Sequence, residues 1–154
     1  MPMKPWVKIT IPALSILFLL SVVLSFEKHS SYSFPVSPSD VDSISFYYDN
    51  LGKKKIITSP SDVSIVFNSL DEIVFHEEYN RFPTGGQTFF LVFHLSSGKD
   101  WICTYYQTNL DTGFYADDTT KLSISNLDLK ALWSLLHCPE SSAFAAHEIS
   151  PPSL

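Results

Sequence analysis

Two apolar runs joined by a short polar turn dominate the middle of the chain. The first run reads TFFLVFHL over residues 88–95, and the second reads DWICTYYQT over residues 100–108. Ser97 and Gly98 between them supply turn chemistry, so the pair predicts an antiparallel hairpin. Both faces of the first run are apolar, which indicates either a sheet that is covered on both sides or one with an adhesive surface. The core of this chain must therefore be built around a sheet.

Three further segments have the composition of strands. They lie at residues 43–49, 54–58 and 114–125. A turn at residues 50–52 (NLG) joins the first two segments into a second hairpin. The third is interrupted near Asp117 and Asp118, where a bulge or a loop with solvated charges is expected rather than a calcium site.

Two segments carry helix signals. Ser59 can cap a first helix, with Pro60 at its first position and apolar residues at helical spacing after it. Ser125 can cap a second helix, with Asp128 three residues later. Pro139 prevents the second helix from continuing.

The predicted fold class is α+β. The element order is ββαβββα, with an antiparallel sheet and helices packed on one face, and the domain occupies residues 41–138. Residues 29–40 are rich in Ser and Pro and predict an extended linker. Residues 139–154 have the same character and predict a disordered tail.

Residues 1–28 predict an N-terminal transmembrane helix or a signal sequence. Residues 9–26 form a stretch of 18 residues without a charge, preceded by Lys4 and Lys8. A spanning helix takes ~17–25 apolar residues and a signal-peptide core takes ~7–15. A cleavage site before Phe26 is poor, so the pattern favours retention as a single-pass anchor, with secretion as the alternative. The positive residues place the domain outside the cytoplasm in either case.

Charge argues against nucleic acid as a partner. The chain has 10 Lys and Arg against 16 Asp and Glu, a net charge of −6. Its one basic cluster is KKK at residues 53–55. Binding to a phosphate backbone requires a larger group of cations.

A run of ionisable residues, His76, Glu77 and Glu78, follows the first predicted helix. A metal site would need further ligands, such as His94 or Asp117. The run has no paired-histidine spacing, so it is more typical of a polar helix end that leads into a loop. No serine lies in a G-x-S-x-G frame either, and neither a catalytic residue nor a metal or cofactor is predicted.

Cys103 and Cys138 are the chain's two cysteines and form a candidate disulfide outside the cytoplasm. The bridge would close a loop of about 35 residues and stabilise the fold by ~3–4 kcal/mol. The alternative is a pair of separate thiols.

Exposed aromatic residues on the outer sheet face are the predicted contact surface, with Tyr47, Trp101 and Tyr105 as its members.

The layout resembles small membrane-anchored or secreted domains of unknown function from Gram-positive bacteria. The resemblance rests on the lysine-flanked leader, the Ser/Pro linker, the helix opening SPSDV, the pair FFLVFHLSSGKDWICTYY and the closing SNLDLKALWSLL. It covers residues 41–137 and implies a location at the cell envelope.

Three functional hypotheses follow. The first is a non-catalytic extracytoplasmic domain, tethered to the membrane by its N-terminal helix, that binds an envelope protein, a peptide or a wall component. The second is a small envelope hydrolase or metal-dependent enzyme that uses His76, Glu77 or His94. The third is an inhibitor or accessory subunit of a larger membrane protein.

Overall fold

The computed structural model describes residues 32–78, 85–108 and 112–150, with the backbone alone for residues 77 and 78. The strands are β1 (Val41–Tyr48), β2 (Lys53–Ile57), β3 (Val74–Glu78), β4 (Gln87–Leu95), β5 (Asp100–Gln107), β6 (Thr112–Ala116), β7 (Lys121–Ser125) and β8 (Glu140–Ser142). The helices are α1 (Pro60–Asp71), α2 (Leu129–Leu135) and the single turn α3 (Ala145–Glu148).

The strands form one antiparallel sheet in the order β3-β7-β6-β5-β4-β1-β2-β8. This confirms the predicted α+β class. The chain order is ββαβββββαβα, which adds β3, β8 and α3 to the prediction and divides its last strand in two. The predicted N-terminal helix lies outside the described residues. Within the described ranges, no helix is long and apolar enough to cross a membrane.

The predicted hairpin is present as β4 and β5 and sets the register of the sheet. Its strands pair Leu91 with Cys103 and Phe93 with Trp101. The turn is closed by a hydrogen bond of 2.8 Å from the Leu95 N–H to the Lys99 carbonyl. Alternate side chains of each strand therefore point to opposite faces of the sheet.

The first face of the sheet carries the main core. Its buried residues include Ile44, Phe46, Phe89, Leu91, Phe93, Tyr105 and Tyr115. Helices α1 and α2 cover this face with apolar residues at helical spacing, namely Val63, Val66, Phe67 and Leu70 from α1 and Leu129, Leu132 and Trp133 from α2. Each large apolar side chain buried here contributes about 1.5–3 kcal/mol of hydrophobic stabilisation.

A buried lysine fixes the carboxyl end of α2. Lys55 on β2 extends its Nζ to the carbonyls of Trp133 and Leu136, at 2.8 and 2.6 Å. The same Nζ lies 5.0 Å from the centre of the Trp133 ring. Because the last carbonyls of a helix have no partners within the helix, the ammonium group satisfies two of them and complements the helix dipole.

The strand predicted at residues 114–125 divides at a tight turn. The Asp117 N–H donates to the Thr120 carbonyl at 3.0 Å, and the Asp117 carboxylate accepts the Thr119 N–H at 2.8 Å. A short acidic side chain that binds its own backbone in this way favours a turn over continued strand. The interruption falls where it was predicted and produces the hairpin of β6 and β7.

Strand β3 replaces the polar loop that was expected after the first helix. It pairs with β7, and Phe75 stands opposite Ile124. Phe75 is buried in the main core beside the rings of Tyr32 and Tyr115. Burial of this one aromatic ring holds a segment whose other residues are mostly polar, which is why composition alone did not indicate a strand.

Residues 32–36 of the predicted linker also pack on the core. Tyr32, Phe34 and Val36 are partly buried against it. The Phe34 ring lies edge-on to Trp101, with ring centres 4.8 Å apart. The segment has no regular secondary structure, but alternate residues bury apolar groups and thereby extend the folded part of the chain before residue 41.

The predicted disordered tail is corrected by the structure over residues 140–149, which we call the C-terminal strap. Its first part, β8, pairs with β2, and its second part, α3, lies on the second face of the sheet, opposite α1 and α2. Ala143 and Ala145 are buried there because their small side chains let the backbone approach the apolar sheet closely. The second face is therefore covered in part by the chain itself.

Candidate functional site

The three predicted contact residues do not form a surface. Tyr105 is fully buried in the main core, and Trp101 is half-buried against Phe34. Tyr47 lies on the second face but is buried beneath the strap, where its hydroxyl donates to Glu148 at 2.9 Å. The sequence left the register open, so it could not assign these aromatic residues to the correct face.

Both cysteines are free thiols, so the candidate disulfide is not formed in this structure. Cys103 is buried in the middle of β5, with its sulfur 3.8 Å from the Leu91 carbonyl, whereas Cys138 lies between α2 and β8. Burial raises the pKa of both thiols. They are therefore protonated at neutral pH and are poor nucleophiles and metal ligands.

The residues considered for a metal site are separated. His76 on β3 shares a hydrogen bond of 2.8 Å between its Nε2 and the Ser125 hydroxyl. His94 lies on the second face, and Asp117 contacts tyrosines of the main core. Glu77 and Glu78 have no described side chains. Within the described ranges, no three His, Cys, Asp or Glu residues come together as metal ligands.

A hydrogen-bonded chain of three polar residues crosses the second face. The Ser45 hydroxyl lies 2.9 Å from His94 Nε2, and His94 Nδ1 lies 2.7 Å from an Asp100 carboxylate oxygen. Antiparallel pairing creates the arrangement, because β4 and β5 place His94 opposite Asp100, and β1 places Ser45 next to β4. The pairing of His94 with Asp100 could have been deduced from the Ser97-Gly98 turn, which lies midway between them.

We call the hydrogen-bonded series Ser45–His94–Asp100 the Ser45 relay. Its groups stand in the order that activates a serine nucleophile. With the imidazole proton on Nδ1 and donated to Asp100, the Nε2 of His94 can accept the serine proton. Acyl transfer also requires that substrate can reach the serine and that N–H donors form an oxyanion hole, and both requirements are poorly met. Ser45 is only 7% exposed. Its strand is paired on both sides, so the neighbouring backbone N–H groups belong to the sheet ladders and do not form an oxyanion hole.

A second polar cluster surrounds Asp117 at the rim of the main core. Its carboxylate accepts hydrogen bonds from the hydroxyls of Tyr32 and Tyr115, at 2.6 and 2.7 Å. Thr119 donates to it through both its N–H and its hydroxyl, each at 2.8 Å. Burial raises the pKa of the Asp117 carboxyl, but these hydrogen bonds together outweigh burial, and the pKa lies below its ordinary value. The same burial raises the pKa of the Tyr115 hydroxyl. The cluster joins the segment that carries Tyr32 to the turn that follows β6, and it is structural.

Exposed apolar side chains and paired charges lie on β2 or in the segments next to it. Leu51, Ile56 and Phe144 are 54%, 50% and 49% exposed. Lys54 binds the Glu148 carboxylate, which also accepts the Tyr47 hydroxyl. The hydrogen bond from Lys54 is the main cause that lowers the pKa of Glu148.

A glycine allows the strap to approach the β1–β2 turn. Gly52 has a left-handed backbone with φ of 58°. The Phe144 ring lies directly over it, so that a Cβ at this position would be 2.4 Å from the nearest ring carbon. A side chain at residue 52 would therefore displace the ring as well as strain the turn. The sequence showed Gly52 as a turn residue but did not reveal its contact with the strap.

No known protein family, curated protein or solved structure matches the chain.

Proposed function

We propose that the chain is a non-catalytic binding or accessory domain that is tethered at the cell envelope and acts outside the cytoplasm. The observation that carries this proposal is the group of exposed apolar side chains around β2. A single exposed leucine is ordinary on a protein surface. Leu51 precedes β2, Ile56 lies on it and Phe144 lies over Gly52, and several exposed apolar side chains near one strand favour a protein contact.

The sheet edge next to these side chains favours the same function. Strand β8 pairs with β2 only at residues 53–55, so Ile56 and Ile57 continue beyond it. In the part of the chain that the structure describes, β8 is the last strand of the sheet. An extended segment of another protein can pair with such an edge through main-chain hydrogen bonds.

The proposed location rests on the N-terminal sequence. Residues 9–26 carry no charge and follow Lys4 and Lys8, which is the pattern of a single-pass anchor whose C-terminal side faces outward. A membrane-bound domain meets its partners at short range, so a modest contact area is sufficient for association.

A photo-cross-linking residue at position 51 tests the binding function in native cells. Leu51 is exposed in the β1–β2 turn, and we expect its replacement to capture one protein in the membrane fraction. The same residue at position 130, exposed on α2, is the control and should not capture that protein. Identical products from both positions would contradict a contact site at β2.

Recovery of a soluble chain that begins at Phe26 would contradict the anchor.

A small envelope hydrolase is the second candidate function, and the Ser45 relay is the observation that favours it. In that mechanism the Ser45 oxygen would attack an ester carbonyl while His94 takes its proton. His94 would then protonate the departing alcohol, and water would release the acyl group. The burial of Ser45 and the missing oxyanion donors place this candidate below the first.

A fluorophosphonate probe distinguishes the two candidates. We expect the native protein to remain unlabelled at Ser45, because the probe cannot reach a hydroxyl that is 7% exposed. Intact mass measurement followed by peptide mapping reports the result. Labelling that is lost in both Ser45→Ala and His94→Ala, but retained in Ser123→Ala, would make the hydrolase the better-supported function. Ser123 is a suitable control because it lies half-buried on β7 of the same sheet.

A further inference from the structure

The C-terminal strap lies on the sheet in the manner of a bound peptide. Its β8 residues pair with β2, and the Ala143 N–H continues the ladder by donating to the Gly52 carbonyl at 3.0 Å. The Ala145 N–H then donates to the Asp49 carboxylate at 3.0 Å. Main-chain bonds along a strand edge are the usual means by which a domain holds an extended peptide.

The side chains of the strap supply the features that give peptide recognition its specificity. Ala143, Ala145 and Ile149 pack on Tyr47, Phe90 and Val92 of the second face. The strap also places a carboxylate at each end onto a lysine, Glu140 onto Lys53 and Glu148 onto Lys54. The occupied surface therefore selects small apolar residues between two acidic side chains.

Several properties make this strap replaceable. Strand β8 has three residues, all of them exposed, and α3 is a single turn. Both glutamates are partly open to water, and ion pairs of this kind hold weakly because solvent screens them. Segments with short ladders and few buried contacts open far more readily than the core of a domain.

We propose that the β2 edge at residues 52–55 and the face of Tyr47, Phe90 and Val92 form a peptide-binding site, the strap site, which the chain's own strap occupies until a partner displaces it. The partner presents an extended segment of small apolar residues with a carboxylate that replaces Glu148 on Lys54. This inference rests on the proposed binding function and specifies its partner. Charge complementarity determines the choice of partner, because the site offers two lysines and the strap pairs each of them with a glutamate.

A peptide with the strap's own sequence, ESSAFAAHEI, is a direct probe of the site. The protein to be tested is the full chain with Ala145→Asp. Ala145 is fully buried beside the Asp49 carboxylate, so a second carboxylate there should detach the strap and leave the strap site unaltered. We expect the fluorescein-labelled probe to bind this variant at least tenfold more tightly than wild type. In wild type, the attached strap competes at an effective concentration on the order of millimolar.

Charge exchange tests whether the binding is specific. A probe with lysine in place of its second glutamate, and a second substitution Lys54→Glu in the variant, should each weaken binding at least tenfold. The lysine probe should regain affinity for the Lys54→Glu protein, because the pair is then restored with reversed charges. Lys99→Glu is the matched control, since Lys99 is exposed in the β4–β5 turn, and it should leave binding unchanged.

Hydrogen exchange defines the result that would overturn the inference. The strap amides should exchange faster in the Ala145→Asp variant, while those of β4 remain protected. If the strap is open and the probe does not bind, or binds regardless of its charge, the strap site is not a peptide site. If Ala145→Asp prevents folding, Glu148→Lys opens the strap by repulsion from Lys54, and the same criteria apply. A concentration-dependent dimer that exchanges straps would identify a second copy as the occupant and overturn the assignment to a partner.

The two proposals can fail separately. If cross-linking from position 51 captures a protein but the probe does not bind the opened variant, the result supports the binding function and contradicts the strap site. If the probe binds as expected but position 51 captures nothing beyond the control, the result supports the strap site and contradicts the proposed contact around Leu51.

Discussion

Replacement of Trp133 with alanine should lower the free energy of unfolding by about 3–5 kcal/mol, the usual cost of removing a buried tryptophan. Trp133 belongs to α2 and packs its ring against the sheet, with its ring centre 5.1 Å from that of Phe46 and 5.8 Å from that of Tyr48. The substitution would leave a cavity between the helix and the sheet. It would also remove the aromatic face next to the Lys55 ammonium. Urea denaturation at neutral pH measures the change.

Two other substitutions make the result specific to this packing. Leu135 lies on the same helix but is 58% exposed, so Leu135→Ala should change the free energy of unfolding by less than about 0.5 kcal/mol. Trp133→Phe keeps an aromatic ring and should cost less than the alanine variant. An unchanged denaturation midpoint for Trp133→Ala would show that α2 does not depend on this residue for its attachment to the sheet.

Trp133 also connects the main core to the strap. Its indole N–H donates to the Glu140 carboxylate at 3.1 Å, and Glu140 is the first residue of β8. The alanine variant should therefore loosen the strap as well as the core, and the strap amides should show faster hydrogen exchange. This hydrogen bond helps to place β8 beside β2 at the start of the strap.

The elements that could be predicted from sequence are those whose own residues carry the signal. The β4–β5 hairpin has two long apolar runs around a Ser-Gly turn. Helix α1 has a serine at its N-cap position, although its side chain makes no capping hydrogen bond, followed by a proline and apolar residues at helical spacing. These local preferences agree with the tertiary packing, so the prediction and the structure coincide.

The strap, by contrast, has no local signal of its own. ESSAFAAHEI contains neither a two-residue nor a helical apolar period. Ala143 and Ala145 are buried only because α1 and α2 leave the second face uncovered. The Ser45 relay depends in the same way on pairing between distant strands. A one-residue change in the register of β1 against β4 would place Ser45 and His94 on different faces of the sheet, so the relay could not be established before the pairing was known.

Replacement of Asp117 with asparagine should lower the free energy of unfolding at neutral pH by about 3 kcal/mol, since hydrogen bonds to a buried charged group contribute about 1.5–3 kcal/mol each. The carboxylate accepts from Tyr32, Tyr115 and twice from Thr119. An amide of the same size keeps one acceptor oxygen but turns an N–H₂ donor toward groups that also donate. The Tyr115 hydroxyl, which is buried, then loses its charged acceptor.

The cost of this substitution should depend on pH in a defined direction. The hydrogen bonds to Asp117 hold its pKa in the folded state below the ordinary value. A carboxyl with a depressed pKa stabilises the fold fully above its unfolded-state pKa, and this stabilisation is lost as the pH falls through the folded-state value. The difference in unfolding free energy between wild type and Asp117→Asn should thus be full at pH 7, nearly full at about pH 5 and smaller at about pH 3. Asp118→Asn, an exposed neighbour in the same turn, should show little difference at any of these values. A cost for Asp117→Asn that stays constant down to pH 3 would mean that the ionised carboxylate is not what holds Tyr32 and Tyr115 together.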